Sequence, residues 1–184
     1  MQFEDQQAFG SYLEPNETLM WAGRPPQGLL FRKSDLLMIP FSLVWGGFAV
    51  FWETMAYSSG APSYFLIFGG AFVLMGLYIT IGRFGYDALK RKNTIYGLTT
   101  ERAVILSGVF DRSVRSVNLK STADITLEQK PNGRGTITFG PLYSSRSFMG
   151  NSSWPGAGQQ ALPSFELIEN VRSVYQMVQA AQRK

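Results

Sequence analysis

Few side chains in this sequence are equipped for chemistry. The 184 residues include no cysteine and no histidine. That removes disulfides, thiol nucleophiles, Cys/His zinc sites and every imidazole-based acid–base mechanism. A pair of carboxylates such as Glu166 and Glu169 stands near a predicted helix start, where negative charge suits the helix dipole and needs no catalytic role. Gly133-Arg134-Gly135 has the glycines of a phosphate loop, but no helix follows it to offer an anion site. Walker A, GxGxxG and GxSxG patterns are absent. The reading is therefore not an enzyme, with no cofactor, no metal and no catalytic residue.

What remains is cationic. Arg32 and Lys33 precede one apolar stretch, and Arg83, Lys90, Arg91 and Lys92 follow another. These are the candidate contacts to anionic lipid headgroups, each contributing about 1 kcal/mol of surface attraction. The net charge of +4 is modest and much of the excess lies beside the apolar runs, so it reads as topogenic and implies no nucleic-acid partner.

The elements that place these charges are two runs without a charged residue, Leu36–Trp52 and Tyr64–Ile81. As helices they cover roughly 26 Å each, close to the hydrocarbon thickness of a bilayer. A soluble helix of that length normally carries a polar stripe. The sequence therefore predicts a transmembrane helical hairpin with Glu53–Ser63 as its connector. Ser42, Gly46 and Ala49 form one stripe of small residues, and Gly69 and Gly76 another; these are the candidate helix-packing positions, with Gly46 expected at nearly the depth of Gly69. Pro40 is expected to bend the first helix. The connector has no Lys or Arg, so the positive-inside rule puts both termini in the cytoplasm, in a multi-pass protein of the cytoplasmic (inner) membrane. Glu4 and Asp5 occupy an N-terminus without an apolar core, so no cleavable signal peptide is expected.

Around the hairpin the pattern is that of strands. Thr18–Ala22 reads as a short strand. Thr94–Thr99, Arg102–Ser107, Ser113–Leu119, Asp124–Gln129 and Thr136–Phe139 follow the second apolar run. Pro131–Gly135 marks a hairpin turn. Pro141–Pro163 is a long Gly/Ser/Pro-rich stretch whose Tyr143, Phe148, Met149 and Trp154 either pack on their own sheet or form a loop that contacts a partner or the membrane. Asn170 is placed as the N-cap of a last helix with Val171, Val174, Tyr175, Val178 and Ala181 on one face. The predicted class is α+β: the hairpin, plus a small antiparallel sandwich or barrel plugged by a C-terminal helix, the pleckstrin-homology-like architecture. Residues 1–34 form an N-terminal segment, 35–82 the hairpin and 83–184 the domain. Because Thr18–Ala22 is too short to fold alone, it must pair across the hairpin, with Leu19 and Trp21 (or Met20, if the register slips by one) entering the core of Ile125, Leu127, Ile137, Phe139 and Val174.

Four stretches also resemble bacterial membrane proteins with PH-like domains. Glu17–Pro25 resembles the E-x-x-x-W-x-G-R-P segment before paired membrane helices, and Tyr96–Arg102 the Y-x-L-T-x-x-R opening. Gly133–Gly140 resembles the G-x-G-T-I-x-F-G hairpin, and Phe165–Tyr175 the closing helix. The resemblance implies a membrane-anchored binding or scaffold protein. The other reading is an accessory subunit whose hairpin packs on a larger membrane complex. Membrane lipids, and a membrane-protein partner or a second copy, are the expected partners. The short Thr99–Arg102 corner carries one cation, unlike the basic loop with which PH domains hold inositol lipids.

Overall fold

The computed structural model describes residues 7–32, 35–109, 111–141 and 162–183. They fall into two compact units. One contains the described residues up to Gly28 and from Ala88 onward; the other is Leu29–Asp87 without the undescribed positions 33 and 34.

Among the described residues, the first unit is a seven-stranded α+β domain. β1 (Leu19–Gly23), β2 (Ile95–Thr99), β3 (Arg102–Ser107) and β4 (Ser113–Asn118) form one antiparallel sheet in sequence order. β5 (Ile125–Gln129), β6 (Gly135–Phe139) and β7 (Ser164–Ile168) form a second. The helix Val171–Gln182 ends the described chain. Alternation supplies the core. Leu98, Ala103 and Ile105 of the first sheet meet Ile137, Phe139, Phe165 and Ile168 of the second, and Val171, Val174, Val178 and Ala181 close the space between. Strand order and closing helix match the PH-like arrangement expected above.

The motifs hold several surprises. The segment aligned with the start of the closing helix is a strand: Phe165 and Ile168 face inward from β7, and the helix starts only at Val171. Asn170 adopts a left-handed conformation (φ 48°) and makes no side-chain cap. Its carbonyl instead accepts the N–H groups of Ser173 and Val174. Gly133, at φ +78°, supplies the left-handed turn between β5 and β6 that other residues adopt only under strain.

β1 does pair with β2 across the inserted hairpin, Trp21 opposite Leu98 and Leu19 opposite Thr99. A bulge at Met20 breaks the expected alternation. Trp21 packs on the main core, its ring 5.6 Å from that of Phe165. Leu19 turns to the opposite face, against Phe9, Ala22 and Val104. Only one of the two side chains thus enters the core predicted for both, because the extra residue reverses the pleat between them.

Phe9, fully buried, covers that outer face, and its ring lies over Gly97. A Cβ at Gly97 would meet Phe9 Cε1 and Cζ at 2.7 Å. Gly97→Val should therefore expel Phe9 and cost about 1–3 kcal/mol, read as a lower midpoint in chemical denaturation. Combining it with Phe9→Ala should cost less than the sum of the two. Additive effects would mean that the ring does not depend on the glycine.

The second unit is an antiparallel pair of helices. α1 spans Asp35–Ser58 with Pro40 inside it. α2 (Ser63–Leu77) passes through a π-helical turn, Tyr78–Gly82, into α3 (Arg83–Lys92). Both helices are long and apolar enough to cross a membrane. The predicted connector Glu53–Ser63 shrinks to the turn between Ser58 and Ser63, because the polar residues after Trp52 continue the helix rather than end it. Glu53 therefore lies within α1.

Candidate functional site

Three groups of polar or small side chains organise the chain. The first joins the N-terminal segment to the β2–β3 corner. Glu17 accepts hydrogen bonds from Thr99 Oγ1 (2.6 Å), from Arg102 Nε (2.8 Å) and Nη2 (2.8 Å), and from the backbone N–H of Glu14 (3.0 Å). Arg102 Nη2 also donates to Tyr12 O at 2.9 Å. Hydrogen bonds from Arg102, reinforced by those from Thr99 and Glu14, hold the Glu17 carboxyl at a pKa of about 2 despite its burial. The Arg102 pKa is raised in turn by its hydrogen bond to Glu17. Thus the Thr and Arg of Y-x-L-T-x-x-R and the Glu that opens E-x-x-x-W-x-G-R-P are parts of one clasp. Each motif is half of a buried charge pair, which neither discloses when read alone.

The second group is the contact between α1 and α2. Ser42 and Ala49 are buried, as are Gly69 and Gly76 opposite them. A Cβ on Gly76 would lie 3.0 Å from Gly46 Cα, and Thr80 Oγ1 donates to Gly76 O (2.7 Å) while touching Ser42 O (3.4 Å). The expected small residues meet, but Gly46 faces Gly76, not Gly69. Gly69 lies instead against Trp52 and the Glu53 carboxyl. The longer helices place the turn beyond Ser58, which moves the facing pairs by two turns.

The third group holds the expected headgroup cations, and Arg32, Arg83 and Arg91 are engaged within the protein. Arg83 is 3% exposed and pairs with Asp35 at 2.8 Å, its guanidinium 4.5 Å from the Phe84 ring centre. Asp35 also accepts the Arg32 N–H at 2.6 Å, which starts α1. Arg91, 4% exposed, donates to Pro26 O (3.1 Å) and Gly28 O (2.6 Å) and so anchors the segment leaving β1. Arg83 and Arg91 are therefore corrected from headgroup contacts to internal anchors: backbone carbonyls and a carboxylate take up their charge out of solvent's reach. Arg32 pairs with Asp87 at 3.3 Å. Lys90 is half-buried and Lys92 exposed, and Lys33 lies outside the described residues. Tyr143, Phe148, Met149 and Trp154 lie outside them too. Among the described residues no cluster of His, Cys, Asp or Glu could hold a metal ion.

Sequence reasoning missed two carboxylates. Asp35 stood just before the first apolar run and Arg83 just after the second; that bracketing was the available signal for their pairing. Glu53 was assigned to the connector, and its place in α1 follows only from the helix length.

No family model matches the chain, and no curated protein does. Among solved structures, a DUF1696 family protein with a pleckstrin-homology domain from Shewanella loihica PV-4 is similar at a TM-score of 0.42. The two are 11% identical, over 99% of this chain and 97% of that one. So distant a likeness transfers neither fold nor activity. The PH-like assignment rests on the strand order and the closing helix.

Two measurements probe these groups. The Glu17 pKa falls from its ordinary 4.5 to about 2 on folding, so the clasp contributes stability above pH 4.5 that is lost as pH falls towards 2. The full contribution is about 3 kcal/mol. Glu17→Gln should remove that acid limb, so that wild type and variant converge in denaturation midpoint near pH 2; a constant gap from pH 7 to 2 would refute the clasp. At the hairpin, Gly76→Leu should push α1 and α2 apart, because the nearest atoms are backbone. Loss of a disulfide engineered between the helix ends would report it, and normal cross-linking would show that the glycine contact is dispensable.

Proposed function

We propose that this chain is a non-enzymatic, membrane-anchored scaffold. Its hairpin crosses the cytoplasmic membrane with both termini inside, and its PH-like domain binds a partner at the inner face. The observation that carries the reading is the surface of the hairpin. Only 17% of either candidate span is buried within the protein, whereas the core helix of a soluble protein is mostly buried. Leu36, Leu37, Val44, Ile67 and Leu74 are all more than two-thirds exposed. Water penalises such a surface and hydrocarbon does not.

Two further observations support a binding module tethered by an anchor. The small-residue stripe is consumed inside the hairpin, so it is not the surface through which an accessory subunit would pack on a larger complex. The internal use of Arg83 and Arg91, with one cation at the β2–β3 corner, favours a protein ligand over an inositol lipid. The non-enzymatic reading rests on the absence of cysteine, histidine and phosphate-loop motifs from the sequence.

Topology is the test. Reporter fusions at Ser59 and Lys184 should fall on opposite sides of the membrane, with Lys184 in the cytoplasm. The same compartment for both would end the hairpin reading.

A further inference from the structure

Glu53 and a groove beside it have no role in the account so far. The groove is wholly apolar, about 200 Å³, and lined by Trp45, Phe48, Ala49, Trp52, Phe68 and Phe72. Trp45, Phe48, Phe68 and Phe72 are each at least 40% exposed, so it opens outward from the helix pair. At one end, Trp52 packs on Phe65 with ring centres 4.8 Å apart, and next to Trp52 stands Glu53. The Glu53 carboxyl rests on Gly69, where any side chain would collide with it. Its Oε2 is fully buried without a hydrogen-bond partner, and no ion pair to Glu53 exists among the described residues. The residue as a whole is half-buried, so part of it stays within reach of a second molecule.

Depth makes this uncompensated carboxyl informative. The inference rests on the membrane reading above. With the Asp35–Arg83 pair at one boundary, a hydrocarbon layer of about 30 Å reaches about twenty residues along α1. Glu53 is eighteen positions on, inside the opposite boundary, and its Cβ leans back towards the helix N-terminus and so deeper. The missing side chain at Gly69 leaves room for the carboxyl there, against the second helix. An ionisable group at such a depth is costly unless it is partnered.

We propose that this face docks a transmembrane helix of a partner protein, whose apolar side chains fill the aromatic groove and whose Lys or Arg pairs with Glu53. Charge complementarity selects this occupant. A second copy offers no cation at that depth, since α1 and α2 contain no Lys or Arg. A lipid ammonium lies at headgroup level, above the carboxyl. A partner's lysine near the end of its own span can reach both its interface and Glu53. This restores a packing role for the hairpin, through the aromatic groove and the carboxyl that borders the small-residue stripe at Gly69.

The test uses the full chain in vesicles of phosphatidylcholine and phosphatidylethanolamine, labelled through Ser59→Cys in a sequence that has no other cysteine. The probes are two synthetic Leu/Ala transmembrane peptides, identical except for Lys or Leu a few residues from one end. Energy transfer should show the Lys peptide associating with the protein roughly tenfold more tightly than the Leu peptide. Glu53→Gln, which keeps the shape on Gly69, should abolish the difference, and Phe68→Ala should weaken both peptides. Equal binding of the two peptides overturns the proposal. So does a difference that survives Glu53→Gln, homodimers that exclude both peptides, or Glu53-dependent retention of phosphatidylethanolamine in place of the Lys peptide. Quenching of Trp45 and Trp52 by brominated lipid, without peptide, checks insertion separately. Unquenched tryptophans would remove the membrane reading itself, whereas quenched tryptophans without selective binding would remove only the docking.

Discussion

The structure depends on a pairing between distant parts of the chain. β1 lies at residues 19–23 and β2 at 95–99, so a strand contributed before the helical hairpin completes a sheet made after it. Closing so long a loop costs chain entropy, and the backbone ladder is not left to offset it alone. Trp21 inserts against Phe165, Phe9 covers Gly97, and the Glu17 carboxylate is gripped by Thr99 and Arg102. The apolar side chains supply burial, and the charge pair supplies register. Glu17 meets Arg102 in the register that sets Leu19 opposite Thr99, with the bulge at Met20.

The same economy governs the polar groups at the foot of the hairpin. Asp35 begins α1, accepts the Arg32 N–H and neutralises Arg83 from the other helix. Arg91 secures Pro26 and Gly28 through their carbonyls. Buried cations of this kind rarely increase stability over a well-packed apolar pair, but losing one partner strands the other charge out of water. Their value is in fixing where each helix begins and where the strand β1 must leave.

Along the helices the balance is different. Small residues bring α1 and α2 together at Gly46 and Gly76, while large aromatics turn outward around a groove. At Gly69 the contact between the helices also takes in Glu53 Oε2, which is buried without a hydrogen-bond partner.

Much of this was legible in the residues. Two uncharged runs dictate two long helices, since each has apolar side chains on every face and no polar stripe. Alternation dictated the strands, and a 3.6-residue stripe of valines dictated the closing helix, because periodicity is a local property of the chain. The absence of cysteine and histidine limited the chemistry before any fold was considered. Tertiary structure decided what depends on a neighbour distant in sequence. A bulge sent Leu19 and Trp21 to opposite faces, and helices longer than their apolar runs carried Glu53 out of the connector and set Gly46 against Gly76. Arg83 and Arg91 read as surface charges because a sequence lists a charge without its partner; Asp35 and the carbonyls of Pro26 and Gly28 come within reach only when the chain has folded.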